Sequence, residues 1–212
     1  MNRIYALSLF SLFFFTLNAE NYYICSTNGS DNNNGLTIET SWKSLKNVNN
    51  NTFNPGASIL FARNGVWFEN LNPEGSGISG RPIIISSYGK GNKPLFVGSN
   101  AIGRGVITLY NQSFWEISQL EIVNNGEEYA DRRGIEVLAE NSGIIRNIHL
   151  EDLYIHHVKG IPGNFDNAKR TAGIFFGVTN DKQTPTRFDN ILIENCIIHD
   201  IVNQGIALSH DS

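Results

Sequence analysis

The sequence predicts an all-β protein, a right-handed parallel β-helix with three short strands per coil and a short N-terminal capping helix. Three observations carry the prediction. One pattern of short alternating strands keeps returning after about residue 105, its copies are unequally spaced, and no segment there carries a helical stripe.

The repeat is read from three segments that align. Trp115 to Ile122, Ile148 to Ile155 and Ile191 to Ile198 each alternate apolar and polar residues, break at one polar residue (Gln119, Asp152 or Asn195), and resume. A strand opened by glycine follows each time, at Gly134-Ile135-Glu136-Val137, Gly173-Ile174-Phe175-Phe176 and Gly205-Ile206-Ala207-Leu208, with Val106-Ile107-Thr108-Leu109 as an earlier copy. The aligned isoleucines 107, 135, 174 and 206 stand 28, 39 and 32 residues apart, so the strands are fixed while the loops vary. Alternation over three or four residues is too short for a sandwich strand, whereas three such strands per turn wind a chain into a triangular coil. Inward residues then stack as ladders, Ile107, Ile135, Ile174 and Ile206 in one and Leu120, Leu153 and Cys196 in another. Asn and Asp tolerate the left-handed backbone that a sharp corner demands, which explains the polar residue at each break.

Upstream, Met1-Asn2-Arg3, an apolar run from Ile4 to Leu17 and Asn18-Ala19-Glu20 have the order of a secretory signal cleaved after Ala19. The run is short for a membrane span, which takes roughly 20 apolar residues. Residues 1–19 are therefore expected to be a signal peptide, 20–104 the cap and first coils, and 105–212 the repeated coils, with a secreted, periplasmic or cell-surface location. At the N-terminal opening, Thr40-Ser41-Trp42-Lys43-Ser44-Leu45-Lys46-Asn47-Val48 offers a serine cap followed by Trp42, Leu45 and Val48 at three-residue spacing, a short helix laid across the exposed ladder. The chain stops after its fourth glycine-led strand with no equivalent cover, which is expected of an incomplete β-helix. Cys25 and Cys196 fall in different coils, and Cys196 reads as a buried small hydrophobe. A formal net charge of −4 on 212 residues argues against a phosphate-tracking surface, and nucleic acid is excluded as a partner. Nothing fixes an oligomeric state.

The N-terminal words Tyr22-Tyr23-Ile24-Cys25-Ser26-Thr27-Asn28-Gly29-Ser30-Asp31-Asn32-Asn33-Asn34-Gly35-Leu36, Ser41-Trp42-Lys43-Ser44-Leu45, Pro55-Gly56-Ala57-Ser58-Ile59-Leu60-Phe61, Gly77-Ile78-Ser79-Gly80-Arg81-Pro82-Ile83 and Tyr88-Gly89-Lys90-Gly91-Asn92-Lys93-Pro94 resemble the opening of secreted pectate-lyase-like β-helix proteins. The resemblance implies the fold, and a polysaccharide as partner. It leaves activity open, because that fold hosts lyases, glycoside hydrolases, epimerases and non-catalytic surface proteins. Asp31 to Gly35 lacks the spacing and distant Glu of a calcium loop.

In proteins of that kind substrate lies along the outer face of the glycine-led strand. With Ile135, Ile174 and Ile206 inward, Thr108, Glu136, Phe175 and Ala207 point out, a column with one carboxylate and so without the acidic cluster of a calcium-dependent lyase. No metal site is visible in these coils, and calcium is left open for a longer protein. Long loops flank the third copy, and Phe175 would floor the cleft between them unless the loop folds over and buries it. An aromatic floor flanked by cations suits an acidic sugar. Lys159, Lys169 and Arg170 are candidate lyase base and enolate-stabilising cations, and His157 with Asp200 on the next coil is a candidate His–carboxylate pair, with His156 and His199 aligned. Arg133, Glu136 and His210 complete the candidates for substrate binding. The plain alternative for all of them is solvated loop residues at strand ends. The expected function is a secreted carbohydrate-active protein that binds, and in full-length form cleaves, an acidic polysaccharide as a lyase; a glycoside hydrolase or a non-catalytic adhesion module are the alternatives.

Overall fold

The computed structural model describes residues 19–98, 102–164, 166–180 and 184–211, so the expected signal peptide lies almost wholly outside the described residues. The chain opens with β1 (Asn21–Ile24), α1 (Lys46–Asn50), β2 (Thr52–Phe53), β3 (Ser58–Ala62), β4 (Val66–Trp67) and β5 (Glu74–Gly75). Four regular coils follow: β6 (Ile83–Tyr88), β7 (Leu95–Val97) and β8 (Arg104–Tyr110); β9 (Trp115–Ser118), β10 (Glu121–Val123) and β11 (Arg132–Glu140); β12 (Ile144–Glu151), β13 (Tyr154–Val158) and β14 (Ala172–Thr179); β15 (Arg187–Glu194), β16 (Ile197–Ile201) and β17 (Gln204–Asp211). A short α2 (Asp166–Lys169) sits in the loop before β14.

Each coil gives one strand to each of three sheets, ordered β1-β3-β6-β9-β12-β15, β4-β7-β10-β13-β16 and β8-β11-β14-β17. All pairings within these sheets are parallel, the arrangement of a β-helix. The expected ladder is present in register, Ile107 beside Ile135, Ile135 beside Ile174 and Ile174 beside Ile206. The first three are fully buried, as is Leu120, with Leu153 at 1%. Gln119, Asp152 and Asn195 adopt φ of 60°, 50° and 54°, so the corner between the first and second sheets is the left-handed turn that their side chains tolerate.

The N-terminal cover differs in its cap. Trp42, Leu45 and Val48 are buried against the first ladder, but the helix begins only at Lys46, its N-cap residue Leu45 makes no side-chain cap, and the serine hydroxyl that accepts from the Lys46 N–H, at 3.2 Å, is that of Ser44. Asp31 holds the approach to the helix from the preceding loop: its carboxylate accepts from the backbone N–H groups of Lys43 and Ser44 at 3.0 and 2.9 Å and from the Ser44 hydroxyl at 2.7 Å. Partial burial pushes the Asp31 carboxyl up, and those hydrogen bonds overcome it, holding the carboxyl below its usual range. Gly29 is required there, since a Cβ would lie 2.1 Å from the Trp42 carbonyl oxygen.

At the other end, Ile206 and Leu208 stack on buried Ile174 and Phe176 yet are 45% and 78% exposed. Cys25 and Cys196 are both free thiols, and Cys196 is half-buried against the core rather than fully inside it.

Candidate functional site

The outer face of the third sheet carries Thr108, Glu136, Phe175 and Ala207 in one row, as the alternation predicts. Phe175 is not an exposed floor: it is 3% exposed, and the Arg133 guanidinium lies 4.9 Å above its ring. The loop before β14 is tied over it, because Arg133 Nε donates to the Arg170 carbonyl at 2.7 Å. Arg133 also donates to Gly103 O at 3.0 Å, to Glu136 Oε1 at 2.5 Å and to both Asp131 oxygens at 2.9 Å. The second Glu136 oxygen accepts from Gly105 N–H at 3.1 Å and from the Thr108 hydroxyl at 3.4 Å. Arg133 and Glu136 are thus a buried, internally satisfied pair that joins three loops, with the Arg133 donors spent inside the protein.

A cavity of about 150 Å³ opens beside this pair. Arg133, Glu136, Phe175 and Arg170 line it, together with Tyr110 and Glu140. The last two were not singled out in the sequence. Tyr110 is 48% exposed and donates to Glu140 Oε2 at 2.6 Å. Only the pairing of Tyr110 with Leu138, one coil on, could have flagged this position.

The remaining candidates lie elsewhere. Lys159 donates through Nζ to the Glu127 carbonyl and sits 5.1 Å from the centre of the Tyr129 ring. Lys169 ends α2, with its carbonyl accepting from Gln204. His210 Nε2 is 3.1 Å from Asn180 Nδ2. On the second sheet His156 and His199 align in register and stack, with ring centres 5.4 Å apart and planes 8° from parallel. His157 Nε2 and Asp200 Oδ2 are 4.0 Å apart, but the nearer partner of Asp200 is His199, at 2.9 Å. Both His157 and Asp200 have positive φ, so they are also corner residues at the strand ends.

The outer face of the first sheet holds a group absent from the expected sites. His149 and Glu151 share one face of β12, and Glu194 of β15 pairs directly with Glu151. His149 Nε2 and Glu194 Oε1 are 2.9 Å apart, and one ligand atom from each of the three residues lies within 4.8 Å of the others. A cavity of about 430 Å³ adjoins, lined by His149, Glu116, Phe114, Pro82, Ile78 and Leu192 among others. The period-2 alternation and the alignment of Glu151 with Glu194 held the signal, since together they put these side chains on one outer face.

No family model matches the sequence. The lacto-N-biosidase of Bifidobacterium longum subsp. longum is 24% identical over 259 aligned positions, covering 92% of this chain and 16% of that protein. Crystal structures of a GH136 lacto-N-biosidase from Eubacterium ramulus superpose with TM-scores of 0.72 (native) and 0.73 (selenomethionine) at 27% and 29% identity, over 84% of this chain and 34% of theirs. An alginate lyase from Paenibacillus sp. str. FPU-7 reaches a TM-score of 0.44 at 16% identity, too distant to bear on activity. The chain therefore spans about a third or less of the lacto-N-biosidases it matches, and its likeness is to carbohydrate-active proteins.

Proposed function

We propose that this chain forms coils of an exported glycoside hydrolase, built as a right-handed parallel β-helix, that acts on neutral glycans of the lacto-N-bioside kind. The observation that carries this reading is the likeness to lacto-N-biosidases across nearly the whole chain. Electrostatics favours it over a uronate lyase. A lyase needs cations free to steady an enolate, whereas the Arg133 guanidinium on this face is consumed by Glu136, Asp131 and two carbonyls. What the third-sheet cavity offers a ligand is the exposed ring of Tyr110 with the carboxylate of Glu140 beside it. An aromatic face to stack on and a carboxylate to accept hydroxyl protons are suited to an uncharged sugar. Phe175, Glu136 and Arg133 support that surface from beneath.

Ligand-observed NMR with the purified chain tests this. A lacto-N-bioside is expected to bind, and Tyr110→Ala to weaken binding about tenfold or more, the loss of one stacking contact of about 1.4 kcal/mol. Binding of oligogalacturonate or alginate fragments instead, with release of an unsaturated product, would overturn the hydrolase reading.

A further inference from the structure

We infer that His149, Glu151 and Glu194 form a binding site for a divalent transition-metal ion of the zinc class, on the outer face of the first sheet. The inference does not depend on the activity proposed above.

The donor set is one imidazole nitrogen and two carboxylates, which suits borderline ions such as Zn²⁺ better than Ca²⁺ or Mg²⁺, whose sites are built of oxygen alone. Its geometry comes from the coil. The alternation of β12 puts His149 and Glu151 on one face two residues apart, and parallel pairing sets Glu194 directly beside Glu151. Two carboxylates placed opposite each other on neighbouring strands repel and destabilise the pairing unless a cation lies between them. Among the described residues no Lys or Arg side chain pairs with either carboxylate, and the one ionic partner is His149, on Glu194. A cation bound between the two carboxylates would relieve that repulsion.

The distances allow one. Bonds of about 2.0–2.1 Å in a tetrahedral zinc site separate the ligand atoms by roughly 3.3 Å. The donor atoms here lie within 4.8 Å of each other, with His149 and Glu194 at 2.9 Å. The His149–Glu194 contact must open by a few tenths of an ångström, and Glu151 must swing in. Side chains 27% and 44% exposed, as His149 and Glu194 are, have the rotamer freedom to do this. Three protein ligands leave a position for water or for a hydroxyl of a molecule in the adjoining cavity, which His149 also lines.

Zinc uptake by the tag-free chain, after treatment with chelator, tests the site by competition against a chromogenic zinc indicator. One ion per chain is expected, with affinity falling at least about tenfold in His149→Ala, Glu151→Gln and Glu194→Gln. Co²⁺ substituted for zinc is expected to give visible d–d absorption that these variants lose. His199→Ala, in the histidine row of the second sheet, is expected to leave uptake unchanged. Absence of stoichiometric uptake, uptake undiminished in Glu194→Gln, or uptake lost in His199→Ala overturns the proposal; the glutamine variants preserve side-chain volume, so the answer does not hang on whether His149→Ala folds.

Discussion

Replacing Arg133 by Met keeps much of the side-chain volume and removes the charge at the centre of the third-sheet network. The structure sets the size of the effect. Glu136 has a side chain 4% exposed and would keep only Gly105 N–H and the Thr108 hydroxyl as donors, while the Gly103 and Arg170 carbonyls and Asp131 lose theirs. Individual charge-assisted bonds are worth about 1.5–3 kcal/mol each, but they share one desolvation cost and do not add. Breaking a buried ion pair from one side costs about 3–5 kcal/mol, and that is the expected loss. Urea unfolding followed by far-ultraviolet circular dichroism measures it. The double variant Arg133→Met/Glu136→Leu removes both charges and is expected to be more stable than Arg133→Met alone. If Arg133→Met costs less than about 1 kcal/mol, or the double variant is the less stable of the two, the pair is not the buried network described above.

Gly105→Ala is expected to destabilise by about 1–3 kcal/mol in the same assay, because its Cβ would lie 2.7 Å from Ile107 O and 2.9 Å from Glu136 N, both backbone atoms. Ile174→Ala should cost about 2–5 kcal/mol and Ile206→Ala distinctly less, since the two occupy one ladder but are 0% and 45% exposed. Asp31 is depressed in the folded state, so its contribution is complete above the unfolded carboxyl value of about 3.9 and is lost as pH falls through the lower folded value. Melting temperature should therefore fall more steeply below about pH 4 in the parent chain than in Asp31→Asn. Alkylation followed by peptide mapping should find Cys25 more reactive than Cys196. Burial raises both thiols, but hydrogen bonds from Thr27 and neighbouring backbone bring Cys25 below its usual value, while Cys196 stays raised.

The ladder and its corners were legible because they are matters of period and backbone conformation. Ile107, Ile135, Ile174 and Ile206 could be aligned despite loops of different length, and the left-handed corners fell on Gln119, Asp152 and Asn195. The outward direction of Glu136 and Phe175 followed from the same alternation. Their burial did not, because it depends on Arg133 folding back across the face and on the reach of the 159–171 loop, neither of which has a period. The role of Asp31 has no local signature, since its partners Lys43 and Ser44 lie 12 and 13 residues on and meet it through tertiary packing. His149, Glu151 and Glu194 all lie in the aligned segments on one outer face, but their convergence across coils depends on side-chain rotamers, which alternation does not set.

Each backbone ladder joins a coil only to the coils directly before and after it. Opening free energies in such a stack are sums over neighbours, so protection against amide exchange should form a gradient along the axis rather than a single value. Among the described residues, β15 to β17 have one neighbouring coil and wet inward side chains at Ile206 and Leu208. Opening then propagates by peeling one coil at a time. The Arg133 network, which ties loops from the coils of β8, β11 and β14 together, stands as the barrier at which that peeling slows.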